Sequence, residues 1–162
     1  MFRMKLGRHI SLVIIGVLTV FVLQLLIPGE PTYQRQPASH WLELWTTYDL
    51  DKMNQSEEAF AAMGPSGVSF LIRSMETRPS QLDVKLSDWS EHHELPDWLA
   101  RRLPDEFVIQ RRRIAAVDLI SELGATAQSA ASVLRHICND SSEDPDLKKA
   151  ARRAIVEIGE KP

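Results

Sequence analysis

One phrase occurs three times in this chain and limits what it can fold into: an apolar pair, a third apolar residue three positions on, and then glycine. The copies are Ala59, Phe60 and Met63 before Gly64, Leu119, Ile120 and Leu123 before Gly124, and Ala154, Ile155 and Ile158 before Gly159. The spacing writes one helical stripe three times. The glycine falls where a helix needs a residue at positive φ to end, which glycine reaches without a Cβ clash. Self-similarity of this kind predicts stacked helices.

The similarity runs past the glycine. With two extra residues allowed in the second copy, Val68, Leu71, Ile72, Arg73 and Met75 align with Ala130, Val133, Leu134, Arg135 and Ile137. The unit is therefore helix, Gly-containing turn, helix. It resembles the HEAT repeat family in AAMGPSGVSFLIRSM, in LISELGATAQSAASVLRHI and in the truncated AARRAIVEIG, over most of residues 56–76 and 105–159. Tyr33, Pro37, Ser39 and the Trp41-Leu42 pair resemble a lead-in of bacterial membrane-tethered HEAT proteins. The glycine that such proteins often carry near Arg35 or Gln36 is absent here. The resemblance implies an all-α fold, a short HEAT-like α-solenoid of about two and a half helix pairs, used for protein binding.

Residues 10–27 form an 18-residue run without a charge, interrupted only by Ser11, Gly16, Thr19 and Gln24. As a helix it would span roughly 27 Å, close to the ~30 Å hydrocarbon core of a bilayer. Arg3, Lys5 and Arg8 precede it, so the positive-inside bias leaves residues 1–9 in the cytoplasm and the rest outside, a single-pass protein of the cell membrane. The competing reading is a cleaved signal peptide with secretion of the remainder. Cleavage is disfavoured because the run exceeds a usual h-region and its end, LQLLIPGEP, lacks an A-x-A-like site.

At 162 residues and 44% apolar composition the chain supports one domain with a real core. Cys138 is its only cysteine, so an internal disulfide is excluded and helix packing must stabilise the fold. Net charge is −3, and about −6 without the three cations before the apolar run, which is not the balance of a nucleic-acid-binding protein.

Residues 28–38 place three prolines in ten positions and predict an extended tether. Residues 39–162 then form the repeat domain. Ser39 is expected to cap a short helix bearing Trp41, Trp45 and Tyr48 on one face, either as a lid over the first repeat or as a surface for lipid or a partner. Ser56-Glu57-Glu58 reads as the next helix start, and Pro104-Asp105-Glu106 and Asp144-Pro145-Asp146 as two more. Residues 77–104 stretch the first glycine interval to 60 residues against 35 for the second, and are an insertion. Leu82, Leu86 and Trp89 have helical spacing there, and Trp98 follows on a second short helix begun by Pro96. Packing of both tryptophans over the stack is the favoured expectation, with a binding role as the alternative.

Signals for chemistry are sparse. His92 and His93 are adjacent and splay about 100° apart on a helix, so they cannot share a metal as i, i+4 histidines do, and His136 with Cys138 is no better. No phosphate-binding glycine loop, HExxH or G-x-S-x-G is present. Asp118 and Glu122 share a helix face, a spacing common on exposed helices. Arg101, Arg102, Arg111, Arg112 and Arg113 form the strongest charged group and suit carboxylate or phosphate recognition. Three consecutive arginines fan over roughly 200°, however, and the acidic run of Asp83, Asp88, Glu91, Glu94 and Asp97 is positioned to neutralise them.

These readings describe a membrane-anchored, non-catalytic HEAT-like scaffold without metal or cofactor. It would bind a protein partner and no nucleic acid, with Arg101, Arg102, Arg111, Arg112, Arg113, Trp89 and Trp98 as candidate contact residues. The alternative is a module that binds lipid or an envelope polymer through the Arg and Trp residues of the insertion region. Self-association through the open C-terminal end is a further expectation.

Overall fold

The computed structural model describes residues 29–92 and 105–159. The chain divides into two units, Met1–Glu30 and Pro31–Pro162, and all secondary structure of the described residues lies in the second. The apolar run at 10–27 and the short helix expected after Pro96 lie outside the described residues. Among those residues no helix is long and apolar enough to cross a membrane.

The fold is all-α in its packing, with a two-residue hairpin at its start. β1 (Thr32–Tyr33) pairs antiparallel with β2 (Gln36–Pro37), so this stretch is not the extended tether that its prolines suggest. The turn residues Gln34 and Arg35 both have positive φ, 49° and 64°, the requirement of a two-residue hairpin turn that asparagine and glycine usually meet. The turn at Gln34 and Arg35 thus has a backbone that favours glycine. The hairpin is tied down by Trp41, whose indole N–H donates to the Tyr33 carbonyl and whose ring meets Tyr33 edge-on at 5.7 Å.

Helix α1 (Ala38–Trp45) begins one residue before the expected cap Ser39, with Pro37 at the N-cap. It buries Ala38, Trp41, Leu42 and Trp45, which makes it the lid over the following helix. Tyr48 does not join that face. It has a φ of 56° and lies beyond the helix end, fully on the surface.

Helix α2 (Leu50–Glu76) starts six residues before the expected Ser56, because the Asp49 carboxylate accepts from the amides of Asp51 and Lys52. Ser56 is instead buried inside the helix, where its hydroxyl donates to the Trp41 carbonyl at 2.8 Å. Gly64 breaks α2 into two arms with φ 56° and ψ −135°, and Pro65 starts the second arm. Helix α3 (Gln81–His92) follows. Helix α4 (Glu106–Leu123) is capped by the Asp105 carboxylate and ends at Gly124, with φ 54° and ψ −133°. The chain then runs through a 3-10 segment (Gly124–Ala130) into α5 (Ala131–Asn139) and, after Asp144 as N-cap, α6 (Pro145–Glu157).

Two glycines 60 residues apart therefore share one backbone conformation within 2° in each angle, in the positive-φ region that glycine alone enters cheaply. Gly159 is also at positive φ, 82°. The stripe before each glycine is inward, as its spacing predicts: Ala59, Phe60, Leu119, Ile120, Ala154, Ile155 and Ile158 are buried, while Met63 and Leu123 pack partly against the core. Helix α4 is central, packed on both α2 and α6, while α1 covers α2 and α5 lies along α6. Ala115, Ala116 and Val117 on α4 let neighbouring backbones approach, and each large buried side chain such as Phe60 or Leu119 contributes about 1.5–3 kcal/mol.

Candidate partner-binding surface

The three consecutive arginines of α4 go to three different places, as a fan of roughly 200° requires. Arg113 is 3% exposed and belongs to the core, not to a binding patch. Its Nε donates to the Met75 carbonyl at 2.8 Å, and its Nη1 and Nη2 grip both oxygens of Glu143 at 2.9 and 2.8 Å. This is a bidentate, charge-assisted pair, the geometry in which arginine binds carboxylate best. Arg112 is exposed and reaches Glu43 of α1 at 3.5 Å. Arg111 lies over the Phe107 ring, its guanidinium 5.2 Å from the centroid.

Glu43 and Glu143 neutralise Arg112 and Arg113, while Asp83 exchanges hydrogen bonds with Ser80 at the start of α3 and Asp88 faces His92; the side chains of Glu91, Glu94 and Asp97 lie outside the described residues. Arg101, Arg102 and Trp98 lie outside the described residues. Trp89 is described and is 46% exposed, so part of its ring stands at the surface. Leu82 at 71% and Leu86 at 38% accompany it on α3. Val84 at 40% is exposed as well, and among the described residues α3 packs on little besides a few residues of α4.

Around Glu143 a second arginine closes a network that the sequence did not reveal. Arg78, just beyond α2, bonds Asp140 at 2.8 Å and Glu143 at 2.5 Å. Hydrogen bonding from Arg113 is the main cause that holds the Glu143 carboxyl below its ordinary range, against the opposing effect of burial. Asp140 is held lower still, first by the Ser142 hydroxyl and then by Arg78. Nothing in the polar loop at 139–144 singles out Glu143. Arg113 was more legible, since it continues the stripe of Ala116, Val117 and Ile120 at helical spacing.

Two of the remaining chemical candidates, Asp118 and Cys138, have partners within the chain. Asp118 bonds Arg153, and burial pushes its carboxyl above the ordinary range. Burial likewise raises the Cys138 thiol, whose sulfur lies 3.9 Å from the Lys148 carbonyl. Among the described residues no group of three or more His, Cys, Asp or Glu side chains is arranged to hold a metal ion.

Three of the surface grooves along α4 lie at its N-terminal half. One of about 140 Å³ lies between Leu42, Phe70, Ile109 and Arg112, with the hydroxyls of Ser74 and Thr77 at its edge. A second, of about 320 Å³, lies over the Arg78, Arg113 and Glu143 network and His136. The third, about 360 Å³, is walled by Tyr48, Phe107 and Ile114 and edged by Gln110, Arg111, Asp144 and Asp146. In comparisons with models of protein families, with curated proteins and with solved structures, no match to this chain is found.

Proposed function

We propose that this chain is a membrane-anchored, HEAT-like interaction module that docks a protein partner and performs no catalysis of its own. The observation that carries the reading is helix α3, which leaves Leu82, Leu86 and Trp89 at the surface along one stripe. An amphipathic helix with its apolar stripe outward is a helix prepared for a partner. The two Gly corners of near-identical φ and ψ support the repeat assignment, and the apolar run at 10–27 supports the anchor. Protein is favoured over anionic lipid because α3 carries Asp83 and Asp88 against Lys85, and Arg112 and Arg113 are already paired.

The test is native co-purification of the full chain from gently solubilised membranes, alongside a Leu82→Ser, Trp89→Ala variant. A protein recovered in near-equal amount with the unaltered chain and lost with the variant, at unchanged helix content, supports docking on α3. Equal recovery with both chains moves the site elsewhere. Binding of both chains to anionic vesicles, with no protein recovered, replaces the reading by the lipid alternative.

A further inference from the structure

The groove between Tyr48 and Phe107 combines features that no packing role explains. Tyr48 is 72% exposed and Phe107 68%, and Leu50, two residues beyond Tyr48 at the start of α2, is 76% exposed. The backbone of Tyr48 is in the left-handed region, φ 56°, which a bulky side chain rarely occupies, and the chain accepts that conformation with the ring outside the core. These three side chains present on the order of 400 Å² of apolar surface, the size of the largest patches found on monomers. Beneath the edge of the groove the Gln110 carboxamide nitrogen is buried and has no hydrogen-bond partner.

Charge decides what would cover it. Arg111 stands on one edge of the groove, and its described partner is the Phe107 ring. Asp144 and Asp146 stand on the same groove. Neither forms an ion pair with Arg111 within this chain, although Asp144 accepts the amides of Asp146 and Leu147. A surface that carries both signs unpaired around an apolar centre complements a copy of itself, since a two-fold axis brings each residue of a pair to the other.

We propose that this face is a two-fold interface between two copies of the chain, with Tyr48 and Phe107 at its centre and Arg111 of each copy against Asp146 of the other. The surface differs from the C-terminal end of the stack, where self-association was expected from the sequence. Two such patches bury on the order of 800 Å², well below the ~1,600 Å² of a standard interface, so the association is weak and gains from confinement in a membrane. The proposal goes beyond the docking of a foreign partner on α3 and does not depend on it.

The test uses the full chain in mild detergent, its mass measured by sedimentation over a range of concentration. Arg111→Asp and Asp146→Arg each place like charges across the axis twice, and each is expected to weaken the dimer about tenfold or more. The combined Arg111→Asp, Asp146→Arg variant restores opposite charges and is expected to recover it. Circular dichroism of each variant separates lost association from lost folding, and Phe107→Ser, at an exposed site, provides a variant without a charge change. A monomer at every concentration overturns the proposal. So does a dimer that survives both single changes, or one that the double change fails to restore.

Discussion

Replacing Arg113 by Met is expected to destabilise the domain by about 3 kcal/mol, and replacing Glu143 by Gln by somewhat more, up to about 5 kcal/mol. The magnitudes follow from what each change leaves behind. Without Arg113, the Glu143 carboxylate is still bonded by Arg78 at 2.5 Å, so its charge is partly compensated, but the Met75 carbonyl loses its donor at a cost of about 1–3 kcal/mol. Without the Glu143 charge, a guanidinium whose side chain is 4% exposed keeps only neutral acceptors: the Met75 carbonyl, the Gln110 oxygen and the single amide oxygen that the substitution leaves. Against a total of about 5–15 kcal/mol, either loss is a large fraction of the fold's stability. The Arg113→Met, Glu143→Gln double variant removes both charges and should cost about 2 kcal/mol less than the sum of the single changes.

Urea unfolding followed by circular dichroism at neutral pH measures all of these. The pH dependence supplies an independent check. The folded-state pKa of Glu143 is depressed, so its contribution is complete above the ordinary glutamate value of about 4.3. It is lost as pH falls from there through the lowered folded value, and Glu143→Gln should flatten stability across that acid window. An Arg113→Met cost below about 1 kcal/mol, or a double variant that costs the full sum, would refute the claim that this buried pair fastens the 139–144 loop to α2 and α4.

Two further changes probe the turns. Gly64→Ala and Gly124→Ala are expected to cost about 2 kcal/mol each, and nearly equally, because a Cβ meets nothing within 4 Å at Gly64 and only the Glu157 carbonyl at 3.7 Å at Gly124. The penalty is then the backbone conformation alone, and thermal unfolding of the two variants side by side tests it; costs that differ by more than the error would mean that packing contributes at one corner. Arg35→Gly is expected to raise stability by about 1 kcal/mol, since it relieves a left-handed residue in the hairpin turn. An unchanged or lowered melting temperature would contradict that reading of the turn.

Most of the helical architecture was legible because it rests on local chemistry. Asp105 and Asp144 cap the helices expected after them, and the stripe of Leu147, Ala151, Ala154, Ile155 and Ile158 faces inward as its spacing requires. The errors occur where long-range packing overrides a local signal. Ser56 looks like a cap, yet Asp49 supplies a stronger one upstream, and the buried serine hydroxyl answers the Trp41 carbonyl of another helix. The arginine run was expected to fan out and pair with the acids upstream, but Arg113 is drawn into the core by Glu143, thirty positions away. No pattern in the polar loop foretells that pairing. The apolar side chains of α3 were expected to pack inward because spacing cannot say whether a helix has a neighbour to pack on.

The helical arms that meet at Gly64 and at Gly124 show which part of the repeated phrase specifies structure. Their corners agree within 2° at Gly64 and Gly124, while their second arms differ. After Gly64 the α-helix resumes at Pro65. After Gly124 the chain takes a 3-10 path to Ala130, with Ala127 at φ −101° and ψ 18°, before α5 begins. That path occupies the place where two extra residues are needed to align the copies. Val68 and Met75 then match Ala130 and Ile137 in being buried. Between them the inward position shifts by one, from Leu71 in the first copy to Leu134 in the second, leaving Ile72 and Val133 half-buried. The glycine therefore fixes the corner, whose geometry is a backbone property. The second arms do not follow from the corner: α2 packs on α4 and α5 on α6, so one corner geometry serves two arms with different neighbours.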